Sequence, residues 1–275
     1  MASDIPKDRT IEALREEWAS IEDLLTQLSH EEWSKPSPLP GWNVKDNVAH
    51  IIGTEEMLSG VATPDVAIDP EHLDYIQNDI GHVNEAWVIS MRQSPPDVVI
   101  DRFRQITSAR LEALEAMSEE EWHAESFTPA GKDSYGRFMR IRVFDCWLHE
   151  QDMRDAVGRP GNHAGLPVEV TLDEMTSAMG FVVGKKAGAP AGSRVTFALT
   201  DDDAVVRTIH VEVGERAQVV DELSGPATVT LTMPVGVMTR RCAGRVGPAA
   251  LRDQITIEGD EVLADRILAN QAYTI

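Results

Sequence analysis

The feature of this sequence that most limits its fold is a change in the spacing of apolar residues at Gly158–Gly165. Before this stretch, apolar residues recur mostly every three or four positions, which is typical of amphipathic helices. After it, and after one further helical segment, β-branched and alternating runs favour strands. A chain of 275 residues is also long for a single core. The sequence therefore predicts an all-α domain at residues 1–160 and an α+β domain at residues 161–275.

Five segments of the first domain carry a helical pattern. Asn43 is expected to cap the second of them, because a short polar side chain before an apolar run satisfies the first free N–H groups. Gly158 and Pro160 are expected to end the last one. The predicted helices cover residues 8–29, 44–59, 71–92, 97–117 and 135–157.

The second domain begins with a predicted helix at about residues 171–187 and continues mainly with strands. The strands are predicted from alternating or β-branched runs, and a final helix follows the last of them. The predicted strands cover residues 194–199, 205–213, 227–233 and 254–257, and the final helix covers 261–269.

Charge and composition exclude several classes of partner. The chain has 25 basic and 46 acidic residues, a formal charge of -21, which would repel nucleic acid. No apolar run approaches the length of a membrane helix, and the first residues do not have the pattern of an export signal, so a cytoplasmic location is expected. Cys146 and Cys242 are far apart in sequence and are expected to be reduced thiols.

Polar residues share one face of the helix predicted at 135–157. Asp145, His149 and Asp152 fall near one line at about 100° per residue. Asp145 and His149 are four positions apart, so their side chains can bind the same ion. His50, within the second predicted helix, is a candidate third ligand. Two imidazoles and one carboxylate would leave a position open for water or substrate, and Asp152 would orient a ligand.

The same residues also have an ordinary structural interpretation. A D-x-x-x-H pair on a helix often forms a simple ion pair or hydrogen bond. A single histidine on an apolar helix, such as His50, is often a hydrogen-bonded core residue. Glu150 points about 100° away from His149 and is interpreted as structural or solvent-facing. Cys146 is interpreted as a packed thiol. Taken alone, these residues leave both interpretations open.

Two motifs in the first domain resemble the mycothiol-dependent maleylpyruvate isomerase family. They are the run PGWNVKDNVAH at Pro40–His50 and the pattern D-x-x-x-H-E-x-D-x-R at Asp145–Arg154. The resemblance implies a DinB-like four-helix bundle whose metal is held by His50, Asp145 and His149. The family has glutamate where this chain has Asp145, so the carboxylate here is one methylene shorter.

The second domain resembles the sterol-carrier-like C-terminal domain of the same family. The resemblance rests on Gly225–Leu231, on Gly244 and Arg245, and on Ile257–Ala264. The family resemblance as a whole implies a divalent metal, with zinc as the first choice, that lowers the pKa of the thiol of mycothiol. Arg240 and Arg241 are candidates for binding mycothiol, and Arg245 is the candidate catalytic residue; a solvated, charge-balancing turn is the alternative for all three.

Three functions follow as hypotheses. The first is a metal-dependent isomerase or S-transferase that activates mycothiol towards an electrophilic, carboxylate-bearing small molecule, working as a monomer or homodimer. The second is a non-catalytic, metal-binding DinB-like stress or interaction protein. The third is a carrier of apolar ligands that uses the second domain. Thiol-dependent turnover would separate the first from the other two.

Overall fold

The computed structural model describes residues 3–69, 75–76, 78–202 and 204–274. It contains two compact units, Met1–Thr171 and Leu172–Ile275. The first unit is mainly helical and the second contains a sheet, as the change in apolar spacing predicts. The domain limits 1–160 and 161–275 stay a prediction, because compact packing does not by itself demonstrate independent folding. No helix among the described residues is long and apolar enough to cross a membrane.

Within its described residues, the first unit contains six complete α-helices, a short hairpin and a 3-10 turn at Glu32–Ser34. The helices and the strands of the hairpin are α1 (Lys7–Thr26), α2 (Val44–Leu58), α3 (Asp79–Met91), α4 (Pro96–Ala116), α5 (Glu119–His123), β1 (Glu125–Thr128), β2 (Gly131–Ser134) and α6 (Tyr135–Val157). The helix predicted at 135–157 is confirmed at both ends. The helix predicted at 71–92 begins only at Asp79; residues 71–74 and 77 lie outside the described residues.

The local sequence explains where these helices begin and end. Asn43 caps α2 as predicted, since its side chain accepts a hydrogen bond from the backbone of Asp46, whose carboxylate binds the Asn43 backbone in return. Gly158, at a φ of 68°, ends α6 in the left-handed conformation that glycine adopts without steric cost. These two signals set the start of α2 and the end of α6, the two helices that carry the site.

The core of the first unit lies between four long helices. α1 packs against α4 and α6, and α2 packs against α3, α4 and α6. The interior side chains are large and apolar, and burying each contributes roughly 1.5–3 kcal/mol. They include Leu14, Trp18, Ile21, Val48, Ile51, Phe103, Leu114, Trp122 and Val143. This packing holds α2 and α6 side by side.

Within its described residues, the second unit has one sheet of five strands: β3 (Arg194–Asp201), β4 (Ala204–Val213), β5 (Ala217–Val220), β6 (Val229–Pro234) and β7 (Thr256–Gly259). Their order in the sheet is β5-β4-β3-β6-β7. Strands β3 and β6 are parallel, and every other neighbouring pair is antiparallel. The helix before the sheet, α7, is Leu166–Phe181, and the two units divide within it. The helices α8 (Val235–Cys242) and α9 (Glu261–Ala269) follow β6 and β7.

Most of the second-domain predictions are confirmed, with shifts at the ends. The helix predicted at 171–187 begins earlier, and its last residues, Val182–Lys186, form a π-helical turn. The predicted strands correspond to β3, β4, β6 and β7, and α9 agrees at both ends. Strand β5 and helix α8 were not predicted. The expected α+β character of this half is thus present.

Candidate metal centre

Helices α2 and α6 bring His50, Asp145 and His149 together. One ligand atom from each residue lies within 4.8 Å of the others. The Nε2 atom of His50 is 3.1 Å from Asp145 Oδ2, and the Nε2 atom of His149 is 3.6 Å from Asp145 Oδ1. The three candidate ligands predicted from the sequence therefore form one cluster, while occupation by a metal stays a prediction.

The three side chains of the cluster differ in their exposure. His50 and His149 are 5% and 6% exposed, whereas the side chain of Asp145 is 30% exposed. The imidazoles therefore form the floor of the site, and the carboxylate lies at its edge. A small molecule would reach the cluster from the side of Asp145.

His149 is held by two partners on its second ring nitrogen. Its Nδ1 atom is 2.9 Å from Asn47 Oδ1 and 3.5 Å from a carboxylate oxygen of Asp152. A neutral His149 that donates its Nδ1 proton to Asn47 directs the lone pair of Nε2 into the cluster, as a ligand requires. The orienting position predicted for Asp152 agrees with this distance. Asn47 was not predicted, although it lies three residues before His50.

Trp42 covers the two imidazoles. Its indole ring lies 5.4 Å from the ring centre of His50 and 5.8 Å from that of His149. The indole N–H donates to Glu85 Oε2 at 3.0 Å, and Glu85 also accepts from Arg92 at 3.0 Å. The indole is therefore held beside the two imidazoles.

A buried chain of ion pairs supports Asp145 from behind. Arg142, one turn earlier on α6, donates from Nη1 to Asp145 Oδ2 and from Nε to Glu55 Oε1 at 2.8 Å. The other oxygen of Glu55 accepts from Arg110 Nε at 3.0 Å. Glu55 is fully buried, and both arginines are 3% exposed. None of these three residues was predicted from the sequence as part of the site.

The surroundings shift the pKa values of the two imidazoles in opposite directions. Burial lowers the pKa of His50 to about 4, although the charge of Asp145 opposes this shift. Burial also disfavours the charged form of His149, but the carboxylates of Asp145 and Asp152 outweigh it and raise its pKa. Burial would raise the pKa of Asp145, yet the charge of Arg142 holds it well below its usual range. The cluster thus offers an ionised carboxylate at Asp145 and, at neutral pH, an uncharged imidazole at His50.

This donor set fits a divalent metal such as zinc. Two imidazole nitrogens and one carboxylate oxygen are ligands that catalytic zinc sites use, with a further position left for water or substrate. His149 has the outer partner that metal-binding histidines normally possess, whereas His50 Nδ1 is buried without a hydrogen-bond partner among the described residues. The fit therefore rests on the three converging donor atoms and on His149.

The three arginines proposed from the resemblance lie in the second unit and differ in their surroundings. Arg241 is 3% exposed, and its guanidinium donates to the side chain of Gln271 and to three backbone carbonyls. Four of its five N–H groups are thus used inside the protein. Arg240 and Arg245 are half-buried, and each donates to a nearby backbone carbonyl. A role for any of them in ligand binding stays a prediction.

Glu150 and Cys146, which are next to the cluster residues on α6, are both packed inside the protein. Glu150 is fully buried and accepts hydrogen bonds from Ser20 and Arg154, which rules out a solvent-facing position. Cys146 is also fully buried, and burial raises the pKa of its thiol. Both observations agree with the structural interpretation of these residues.

Fold and site together define a protein with a His-Asp-His cluster in a helical unit, joined to a sheet-containing unit. The chain belongs to the mycothiol maleylpyruvate isomerase family. Residues 14–154 match the family profile described as the mycothiol maleylpyruvate isomerase N-terminal domain, and residues 169–266 match the MDMPI C-terminal domain. The family resemblance derived from the sequence motifs is thereby confirmed.

Related proteins are known in sequence and in structure. Two uncharacterized proteins of Mycobacterium tuberculosis, from strains CDC 1551 / Oshkosh and H37Rv, are each 25% identical over 146 residues, 53% of this chain and 55% of theirs. The chain thus spans about half the length of the curated relatives it matches. Crystal structures of the mycothiol-dependent maleylpyruvate isomerase and of a mutant superpose with TM-scores of 0.58 and 0.54, at 19% and 18% identity. Each covers 93% of this chain and 94% of its own, and supports the fold.

Proposed function

We propose that this protein is a metal-dependent isomerase that uses mycothiol to act on a small electrophilic substrate bearing a carboxylate, of the maleylpyruvate type. The observation that carries the proposal is the convergence of His50, Asp145 and His149 within 4.8 Å. Family membership supplies the thiol and the reaction class. An S-transferase that joins the same thiol to an electrophile would need the same site.

Each residue of the cluster has a role in this proposal. His50, Asp145 and His149 hold the metal, and Asn47 fixes the tautomer of His149 through its Nδ1 contact. A bound divalent cation supplies positive charge that lowers the pKa of a thiol, so that a nucleophile exists at neutral pH. Trp42 limits the access of water to the imidazoles. The exposed edge at Asp145 admits the thiol and the substrate.

The chemistry needs no cysteine from the protein. A thiolate that adds to a conjugated carbon–carbon double bond leaves a single bond, which can rotate before the thiolate departs. The C–S bond forms and then breaks, so the thiol is regenerated and only the geometry of the double bond changes. Cys146, buried and with its pKa raised, does not compete with the small-molecule thiol.

The proposal also covers the fold families of the two units, the roles of the three arginines, and the location and oligomeric state of the protein. Each of α1, α2, α4 and α6 packs against two of the other three, so we assign the first unit to the DinB-like four-helix bundles. We assign the second unit to the sterol-carrier-like domains on the resemblance of its sequence motifs. Arg245 is proposed as a catalytic anchor for a carboxylate, and Arg240 as a contact for mycothiol. Arg241 is the weaker candidate, since its guanidinium is already bonded. A cytoplasmic monomer or homodimer is the proposed state.

One observation favours a second function. His50, Asp145 and His149 all lie in Met1–Thr171, whereas the guanidinium of Arg241, a candidate for binding mycothiol, is already bonded inside the second unit. A protein that binds metal without turning over a thiol substrate, as a stress or interaction protein, would need the cluster but no free arginine for a thiol. Metal binding without mycothiol affinity would identify this function.

Metal analysis combined with thiol titration tests the proposal. Purified wild type, His149→Ala and the control His163→Ala are compared by plasma mass spectrometry; His163 lies outside the cluster and contacts Gln151. We expect about one zinc per chain in wild type and control and a loss in His149→Ala. Mycothiol is then titrated calorimetrically, and isomerisation of maleylpyruvate is followed by absorbance. Wild type without metal would refute the proposal.

A further inference from the structure

Arg142 occupies an unusual position for a charged residue. It is 3% exposed and lies inside the helical unit, where an unpaired guanidinium would be strongly disfavoured. Its three nitrogen atoms are divided between three neighbours on two helices. Nε donates to Glu55 on α2, Nη1 donates to Asp145, and Nη2 lies 3.5 Å from the sulfur of Cys146.

The partner of Arg142 is itself immobilised. Glu55 is fully buried, and its second oxygen binds Arg110 of α4, whose Nη2 donates to Tyr135 OH at 2.9 Å. Glu55, Arg110, Arg142 and Asp145 form a chain with two negative and two positive charges. Ion pairs buried this deeply rarely add stability over apolar residues of similar size, so stability alone does not explain the chain.

Asp145 is the member of the chain that needs support. Its side chain is 30% exposed, so its carboxylate would gain hydration by turning towards solvent. The guanidinium of Arg142 binds Oδ2 and keeps the group against the imidazoles, with Oδ1 on the side of His149. Carboxylates that bind metals are normally fixed by such outer hydrogen bonds.

We propose that Arg142, anchored by Glu55, is the positioning residue of the metal centre, holding Asp145 in the orientation in which its carboxylate can serve an ion together with both histidines. Arg142 itself is not a ligand. The proposal rests on the proposed metal-binding function, and it explains how the shorter aspartate can act where the resemblance places a glutamate.

The test compares Arg142→Lys and Arg142→Met with a matched control, Arg102→Met. Arg102 joins α4 to Glu56 of α2, the neighbour of Glu55, but it has no contact with the cluster. Zinc dissociation constants are measured by competition with a chromophoric chelator, and the cobalt(II)-loaded proteins are compared by visible absorption. We expect zinc affinity to fall by about 10–100-fold in both Arg142 variants, with a changed cobalt spectrum. The control should match wild type in zinc affinity and in cobalt spectrum. Arg142→Lys is expected to behave like Arg142→Met because lysine keeps the charge but cannot bridge Glu55 and Asp145.

Crystal structures of the metal-free proteins separate this inference from the proposed function. We expect the Asp145 carboxylate to face His50 in wild type and to turn towards solvent in Arg142→Lys or Arg142→Met, whichever folds. That result supports the positioning role even if wild type binds no metal, in which case only the proposed function fails. Folded Arg142 variants with wild-type zinc affinity, or with the Asp145 carboxylate unmoved, would overturn the inference.

Discussion

Asp145 contacts Arg142 and both imidazoles through its two carboxylate oxygens. We expect Asp145→Asn to weaken zinc binding by at least about 100-fold, because losing a direct ligand costs more than losing an outer partner. Asp145→Glu is the matched variant and should retain zinc, since it keeps the charge. Competition with a chelator measures both. Equal zinc affinity in Asp145→Asn and wild type would exclude this carboxylate as a ligand.

His50 gives the metal-free protein a pH dependence of known sign. Its pKa is about 4 in the folded protein and about 6.5 in the unfolded chain, so the unfolded chain binds the proton more tightly. Stability is therefore lost as the pH falls below about 6.5, and the loss reaches about 2 kcal/mol at pH 5. Metal-free His50→Gln should lack this loss, whereas His30→Gln, at an exposed position, should keep it. Urea unfolding at pH 7 and pH 5 measures the difference; equal losses in wild type and His50→Gln would contradict the prediction.

Helix α2 owes its start to a capping box, and it carries His50, Asn47 and Glu55 towards the cluster. We expect Asn43→Ala to lower the free energy of unfolding by about 1 kcal/mol, because an N–H group of the first turn loses its acceptor. Zinc affinity should also fall, by up to about 10-fold, as the first turn of α2 loosens. Ser118→Ala removes an equivalent box from α5, which carries no cluster residue. In urea titrations, Ser118→Ala should lower the free energy of unfolding by a similar amount and leave zinc affinity unchanged. If Ser118→Ala lost as much zinc affinity as Asn43→Ala, the cap at Asn43 would act on the site only through the stability of the whole protein.

Elements with strong local signals were predictable from sequence, and elements stabilised by pairing were not. α6 has a glycine that ends it and a long helical pattern, so both ends of the prediction agree with the structure. The hairpin β1–β2 resembles a polar loop in sequence, and three of the four residues of β1 are not buried. β5 is a four-residue edge strand without a buried residue, and it depends on its hydrogen bonds to β4. Such strands depend on their neighbours rather than on their own residues.

The same distinction applies to the site. Asp145 and His149 were predictable because a spacing of four residues places them on one face of any helix. Arg142 was not, because an arginine within a helix normally indicates an exposed surface, and its burial depends on Glu55 from another helix. Trp42 belonged to a recognisable motif, yet its position over the imidazoles becomes visible only in three dimensions.

The proposed tasks are divided between the two compact units. All residues of the cluster and of its supporting ion pairs belong to Met1–Thr171, whereas Arg240 and Arg245 belong to Leu172–Ile275. In the proposed function, metal binding is therefore a property of the helical unit alone. The arginines proposed for mycothiol and for the carboxylate of the substrate belong to the second unit.

A fragment that ends at Phe181, the last residue of α7, tests this division. We expect it to bind zinc with the affinity of the full chain, within about threefold, because all three donors and Arg142 are retained. Its calorimetric response to mycothiol should be clearly weaker than that of the full chain, because the fragment keeps the metal centre but lacks the second unit and the arginines proposed to bind the thiol and the substrate. The full-length Arg245→Ala variant is the comparison, and it should bind zinc normally while losing maleylpyruvate turnover. A folded fragment that binds no zinc, when the full chain does, would contradict the expectation that the helical unit alone binds the metal. A fragment that binds mycothiol as the full chain does would exclude Arg240 from the proposed mycothiol site.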